Sequence, residues 1–410
     1  MMEEKLTEYA RLLVQVGLNV QKGQNLIISC PVECAYFARM CAAEAYAIGC
    51  REVIMNWHDD AMSRMKYLQA SEDVFETVPA WREHFFNDYA KEGAAYLAIS
   101  ATDPENLKGV DPQRIVKSQQ ASGKALKDFD RLQMASGFPW CIASIPIPSW
   151  AGRVFPDAGD GAVDRLWDAI FAAVRISGDG KCVEKWQAHL ATLHRRVEKL
   201  NGLRLASLHY TNALGTDLTI RLPQGHVWEA GNDVTPTGQE YIANIPTEEI
   251  FTAPLKNGID GVVYSAMPLV NDGNIIDKFH FVVKEGRIVE AHAEKGEESL
   301  KAAISVDEGA SYFGEVALVP YDSPISNQKI LYYNTLFDEN AACHLAFGEA
   351  YPCIEGGRQM NKEELKAHGL NDSITHVDFM VGTPDLSIVG TTQDGREVPI
   401  FVNGNFAPDI

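Results

Sequence analysis

Glu249 and Glu315 each stand inside an apolar run, in NIPTEEIFTAP and YFGEVALVP. An ionised carboxylate there is costly unless it is paired or binds a metal. Glu248, next to Glu249, is expected to face the other way and be solvated. His376 and Asp378 lie two positions apart in THVDFMVG, at the head of an apolar run. On a strand that spacing puts both side chains on one face, roughly 7 Å apart. Such a pair can hold two adjacent metal ions or two sides of one, and a polar strand face explains it as well. His344 sits among alanines, Leu345 and Phe347 in LFDENAACHLAFGEAYP. That stretch reads as a helix capped by Asp338 or Glu339 and stopped by Pro352, with His344 pointing inward. Tyr351 falls two turns further on, nearly on the same face, and leaves the helix before the proline, which frees its hydroxyl to reach a site. Three carboxylates and two imidazoles make a mixed oxygen and nitrogen set suited to Zn²⁺, Co²⁺ or Mn²⁺. With one bridging carboxylate they suffice for two ions about 3.5 to 4 Å apart, with room for water and substrate.

The other histidines have plainer contexts. His189 and His194 lie in a charge-rich helix, His280 and His292 in a predicted hairpin, and His58 in a polar loop after a strand. All five read as surface or packing residues.

These side chains need elements to position them. An amphipathic helical stripe over residues 5 to 17 is followed by the apolar run LIISC, the helical ECAYFARMCAAEAYAIG and the run EVIMNW. The alternation continues with helical stretches over 73–91 and 113–134, the runs AAYLAIS and WCIASIPIP, and helices over 162–176 and 181–200. Strands spaced by helices of this length predict a mainly parallel sheet covered on both faces. Beyond about residue 204 the segments shorten and alternate, and the EG at 285–286 and DG at 394–395 predict hairpins. The fold class is therefore an α/β domain over 1–205 followed by an α+β domain rich in antiparallel strands over 206–410.

Composition narrows the function classes. The chain has 410 residues, enough for two cores, and carries 56 acidic against 36 basic side chains, a formal charge of −20. That balance repels nucleic acid and anionic membranes. The start is acidic, no apolar run approaches a bilayer-spanning length, and a cytoplasmic protein is expected. The eight cysteines include no CxxC pair and read as reduced thiols, with Cys34 and Cys41 as buried hydrophobes at helical spacing. No GxGxxG follows the first strand and no GxxxxGK[ST] occurs, which argues against a nucleotide.

The motifs NIPTEEIFTAP, FGEVALVP, LYYNTLFDENAACHLAFGEAYP and HVDFMVG, in this order and with these gaps, resemble the M29 metalloaminopeptidases, the aminopeptidase T, aminopeptidase S and PepS group. The two-half organisation extends the resemblance over nearly the whole chain. It implies a homodimeric exopeptidase that removes amino-terminal residues from peptides at a dinuclear site of Zn, Co, Mn or Mg. It also implies Glu249, Glu315, His344, His376 and Asp378 as metal ligands with Tyr351 beside them, Glu249 being chosen over Glu248 because it directly precedes the pair Ile250 and Phe251. On that reading a metal-bridged water attacks the scissile carbonyl and Tyr351 donates to the oxyanion. Aromatic and apolar residues near the site imply tolerance of several amino-terminal side chains. Two other readings remain at this point. A metal-dependent phosphoesterase would use similar ligands, but the four motifs contain no Arg or Lys to hold a phosphoryl group. A non-enzymatic small-molecule binding protein would leave Glu249 and Glu315 unexplained in their apolar runs.

Overall fold

The structure, a computed structural model, describes residues 2–271 and 274–410. The run LIISC forms the centre of strand Asn25–Pro31, buried on both faces, as a parallel strand between helical layers must be. It pairs in parallel with Glu52–His58 on one side and Ala95–Ser100 on the other, and Ala95–Ser100 pairs with Trp140–Ser144. A fifth parallel strand, Asn244–Ile245, returns from far along the chain to pair with Ile142 and Ala143.

Helices fill the crossovers. Asp111 caps helix Pro112–Ala125 by accepting from the Gln113 N–H, with proline in its first turn. The helical stretch expected over 73–91 starts only at Ala80, after a short 3₁₀ turn over Glu72–Phe75, because Pro79 keeps the residue before it off the helical backbone. Helix 113–134 divides at Leu126 into Pro112–Ala125 and Lys127–Met134.

The later part of the chain is antiparallel. The EG turn joins Asn274–Lys284 to Arg287–Lys295, with Glu285 and Gly286 both at positive φ, the conformation a tight hairpin requires. The DG turn joins Ser387–Thr392 to Glu397–Val402. These strands belong to a nine-stranded sheet, beside which stands a five-stranded antiparallel sheet. The chain divides into two compact units: Met1–His189 with Asn232–Thr247, and Leu190–Gly231 with Glu248–Ile410. All eight cysteines are buried thiols outside any disulfide. Among the described residues no helix is long and apolar enough to cross a membrane.

Candidate metal centre

The five-stranded sheet of the second unit runs in the order His376–Met380, His344–Gly348, Phe313–Leu318, Ile250–Thr252, Glu229–Ala230. Its register pairs Gly348 with His376, Ala346 with Asp378 and with Glu315, Ala317 with His344 and with Phe251, and Phe251 with Glu229. Residues opposite one another share a face, and so do alternate residues along a strand. His376, Asp378, His344, Glu315, Phe251 and Glu229 therefore point to one side. Ile250, Val316, Leu318, Leu345, Phe347 and Phe379 point to the other, where they join the hydrophobic core. Glu249, just before Ile250, falls on the polar side.

Glu315 reaches that side through a bulge. Phe313 pairs with Phe347 on the core face, and the register then shifts so that Glu315 pairs with Ala346. The extra residue, Gly314, turns the carboxylate away from the core.

The side chains converge closely. His344 Nε2 lies 3.2 Å from Glu249 Oε2 and 3.5 Å from Glu315 Oε1. His376 Nε2 lies 3.2 Å from Glu315 Oε2 and 3.3 Å from Asp378 Oδ1. The donor atoms form two groups, Glu249 with Glu315 and His344, and Glu315 with His376 and Asp378, each spanning no more than 4.8 Å. Each histidine directs its other nitrogen at a main-chain carbonyl: His344 Nδ1 is 2.8 Å from Glu339 O, and His376 Nδ1 is 2.8 Å from Glu349 O. A carbonyl only accepts, so both Nδ1 atoms carry hydrogen; Nε2 is the nitrogen turned to the carboxylates, donating to them when protonated and free to ligate a cation when not.

The electrostatics of the cluster suit a cation. Burial raises the pKa of Glu249, with His344 partly offsetting it, and raises that of Glu339 well above the usual range, with Asp378 and Glu249 adding their charges. Burial alone would raise Glu315 too, but hydrogen bonds to His344 and His376 outweigh it and bring its pKa to about 2. Burial alone would lower both histidines, but Glu249 and Glu315 beside His344, and Asp378 and Glu315 beside His376, outweigh it and lift them well above their ordinary value. Tyr351 is raised well above 10 by burial and then by Glu315 and Asp378. Asp378 Oδ1 is buried and, although near His376, accepts no hydrogen bond. Crowded carboxylates, an orphaned acceptor and two imidazoles of fixed tautomer are a donor set that a divalent ion would complete.

Residues 2–406 match the family of thermophilic metalloproteases, M29. The chain belongs to the M29 family. It is 47% identical to aminopeptidase AmpS of Bacillus subtilis over 98% of both chains, and 44% identical to aminopeptidase 2 of Geobacillus stearothermophilus over 100% of this chain and 99% of that one. The fold matches wild-type AmpT from Thermus thermophilus with a TM-score of 0.91 at 37% identity, covering 99% of this chain and 100% of that one. This M29 protein is a metal-dependent aminopeptidase, and the α/β plus antiparallel architecture expected from sequence is the one observed.

All six site residues singled out in the sequence lie in one unit of this M29 aminopeptidase, and the five expected ligands meet. Tyr351 stacks edge-on to His376, ring centroids 5.2 Å apart. Two local expectations are corrected. His344 lies on a strand, His344–Gly348, rather than a helix; the helix is the single turn Thr335–Asp338, capped by Asn334. A strand buried on both faces is apolar throughout and loses the alternation that would mark it. Glu248 is buried at 4% exposure, with its N–H donating to Asn340 Oδ1 at 2.8 Å, so it is not a solvated neighbour. Sequence reasoning missed Glu339 as part of the charged cluster, having read it as a cap. Its position five residues before His344 carried no periodic signal once the intervening chain proved not to be helical.

Proposed function

We propose that this aminopeptidase works with two divalent ions, of Zn, Co, Mn or Mg, and cleaves the amino-terminal peptide bond of its substrates between them. The observation that carries this reading is that two ligand triads share Glu315. Glu249 and His344 would hold one ion, and His376 and Asp378 the other. Glu315 would bridge them, since its two oxygens already face different histidines. Held by these residues, such ions would lower the pKa of a bound water and polarise the scissile carbonyl. The Glu339 and Glu349 carbonyls keep both imidazoles oriented as ligands. Tyr351 presents its phenolic O–H to the developing oxyanion, its ring fixed between Phe251 and His376. A free α-amine is what the surrounding carboxylates would recognise, which restricts cleavage to the first residue.

Elemental analysis of the purified protein and of His376→Ala, paired with hydrolysis of leucyl p-nitroanilide and its N-acetyl derivative, tests this directly. The expected result is about two ions per chain in the wild type, fewer in the variant, and cleavage of the free-amine substrate alone. One ion per chain at full activity would rule out the dinuclear reading. Tyr351→Phe is expected to lower kcat about 10²-fold with metal content unchanged; unchanged turnover at saturating substrate would remove the tyrosine from the chemistry.

A further inference from the structure

We infer that Phe251 determines selectivity for the side chain of the substrate's amino-terminal residue, forming with Tyr351 an aromatic wall that receives apolar side chains. The inference rests on the catalytic reading above and extends it from the bond cleaved to the residue removed. Phe251 follows Glu249 by two positions and pairs with Ala317, so it stands on the same face of the sheet as the ligand cluster. Between the ligands that face carries only the methyl groups of Ala317 and Ala346, so no bulky side chain of this sheet stands between Phe251 and the cluster. Phe251 is the first large apolar side chain on that face.

Phe251 is also only half-buried, whereas its strand neighbour on the core face, Ile250, is fully buried. An aromatic ring left partly in water beside charged groups gains from being covered by apolar surface. Its ring centroid lies 5.5 Å from that of Tyr351, which in turn lies 5.2 Å from His376. In an aminopeptidase the amino-terminal side chain branches from the atom next to the scissile carbonyl. It must therefore lie close to the group that donates to that carbonyl, and the ring packed against Tyr351 is Phe251. Past Phe251 the face is closed by Glu229, whose carboxylate lies 2.5 Å from Arg358 Nη2. The aromatic wall thus lies between the ligand cluster on one side and an ion pair on the other.

The test is kcat/KM for leucyl, phenylalanyl and alanyl p-nitroanilides, which share a leaving group, on wild type, Phe251→Ala and Phe251→Leu. Phe251→Ala is expected to lower the leucine-to-alanine ratio about tenfold, mostly through KM. Phe251→Leu should keep leucine activity and lose preference for phenylalanine. An equal fall on all three substrates would mean that Phe251 only supports Tyr351, and the inference would be wrong. A changed preference confined to the second residue of leucyl dipeptides would place the wall on the leaving side and would equally overturn it. Wild-type metal content and the N-acetyl control report on the catalytic reading separately, so the two can fail independently.

Discussion

Glu315→Gln should yield a folded protein that holds neither ion and hydrolyses leucyl p-nitroanilide about 10³-fold more slowly or worse, a loss of ~4 kcal/mol in transition-state stabilisation. Glu315 is common to both candidate triads, so its loss would reach both proposed metal positions, whereas Glu249 or Asp378 would serve only one. The amide keeps the shape of the side chain and removes its charge. It also places an N–H₂ group where an oxygen now faces a histidine Nε2, and that group cannot act as a ligand. With a pKa near 2 the native carboxylate is ionised throughout the working range, so the whole of its charge is lost. Metal content by elemental analysis, steady-state kinetics and thermal unfolding of the metal-free forms decide the matter. Two ions retained per chain would refute the bridging role.

Gly314→Ala is expected to be as damaging, although the residue has no chemistry of its own. A Cβ at this position would sit 2.1 Å from the Glu349 carbonyl oxygen and 2.7 Å from that of Gly348, and neither is a side chain able to swing aside. The Glu349 carbonyl is the acceptor that orients His376. Relieving the clash must therefore move the support of a proposed ligand, or undo the bulge that turns Glu315 outward. We expect a stability loss of about 3 kcal/mol or more, the upper end for overpacking, together with loss of metal from the His376 side. Thermal unfolding and a metal titration measure the two effects. Wild-type values in both would show that the strands can separate here at no cost.

The legibility of the site varied with the kind of backbone that carries each residue. His376 and Asp378 were readable because their strand keeps its alternation: their side chains remain partly exposed at 21% and 13%, while Phe379 faces the core. Glu315 was readable because a charge inside YFGEVALVP contradicts its neighbours. His344 joins the cluster from a strand and not from the expected helix, since HLAFG is buried at every position and so carries no period. Glu248 was misjudged because exposure was inferred from alternation with Glu249. The segment before Ile250 is instead held inward by the bond from the Glu248 N–H to Asn340, a contact across 92 positions of chain.

By itself the sequence determined the secondary elements of the parallel sheet, the two hairpins and the types of ligand available. Those follow from local periodicity, turn chemistry and the cost of charge in an apolar run. Tertiary structure alone decided which carboxylates meet which imidazoles, because that depends on the register of four antiparallel strands and on a one-residue bulge at Gly314. A shift of one residue there would send Glu315 into the core, and local sequence does not fix a register that distant backbone hydrogen bonds and the packing of Phe313 against the core set together. The same holds for the tautomers of His344 and His376, which are fixed by carbonyls that only the folded chain brings within 2.8 Å.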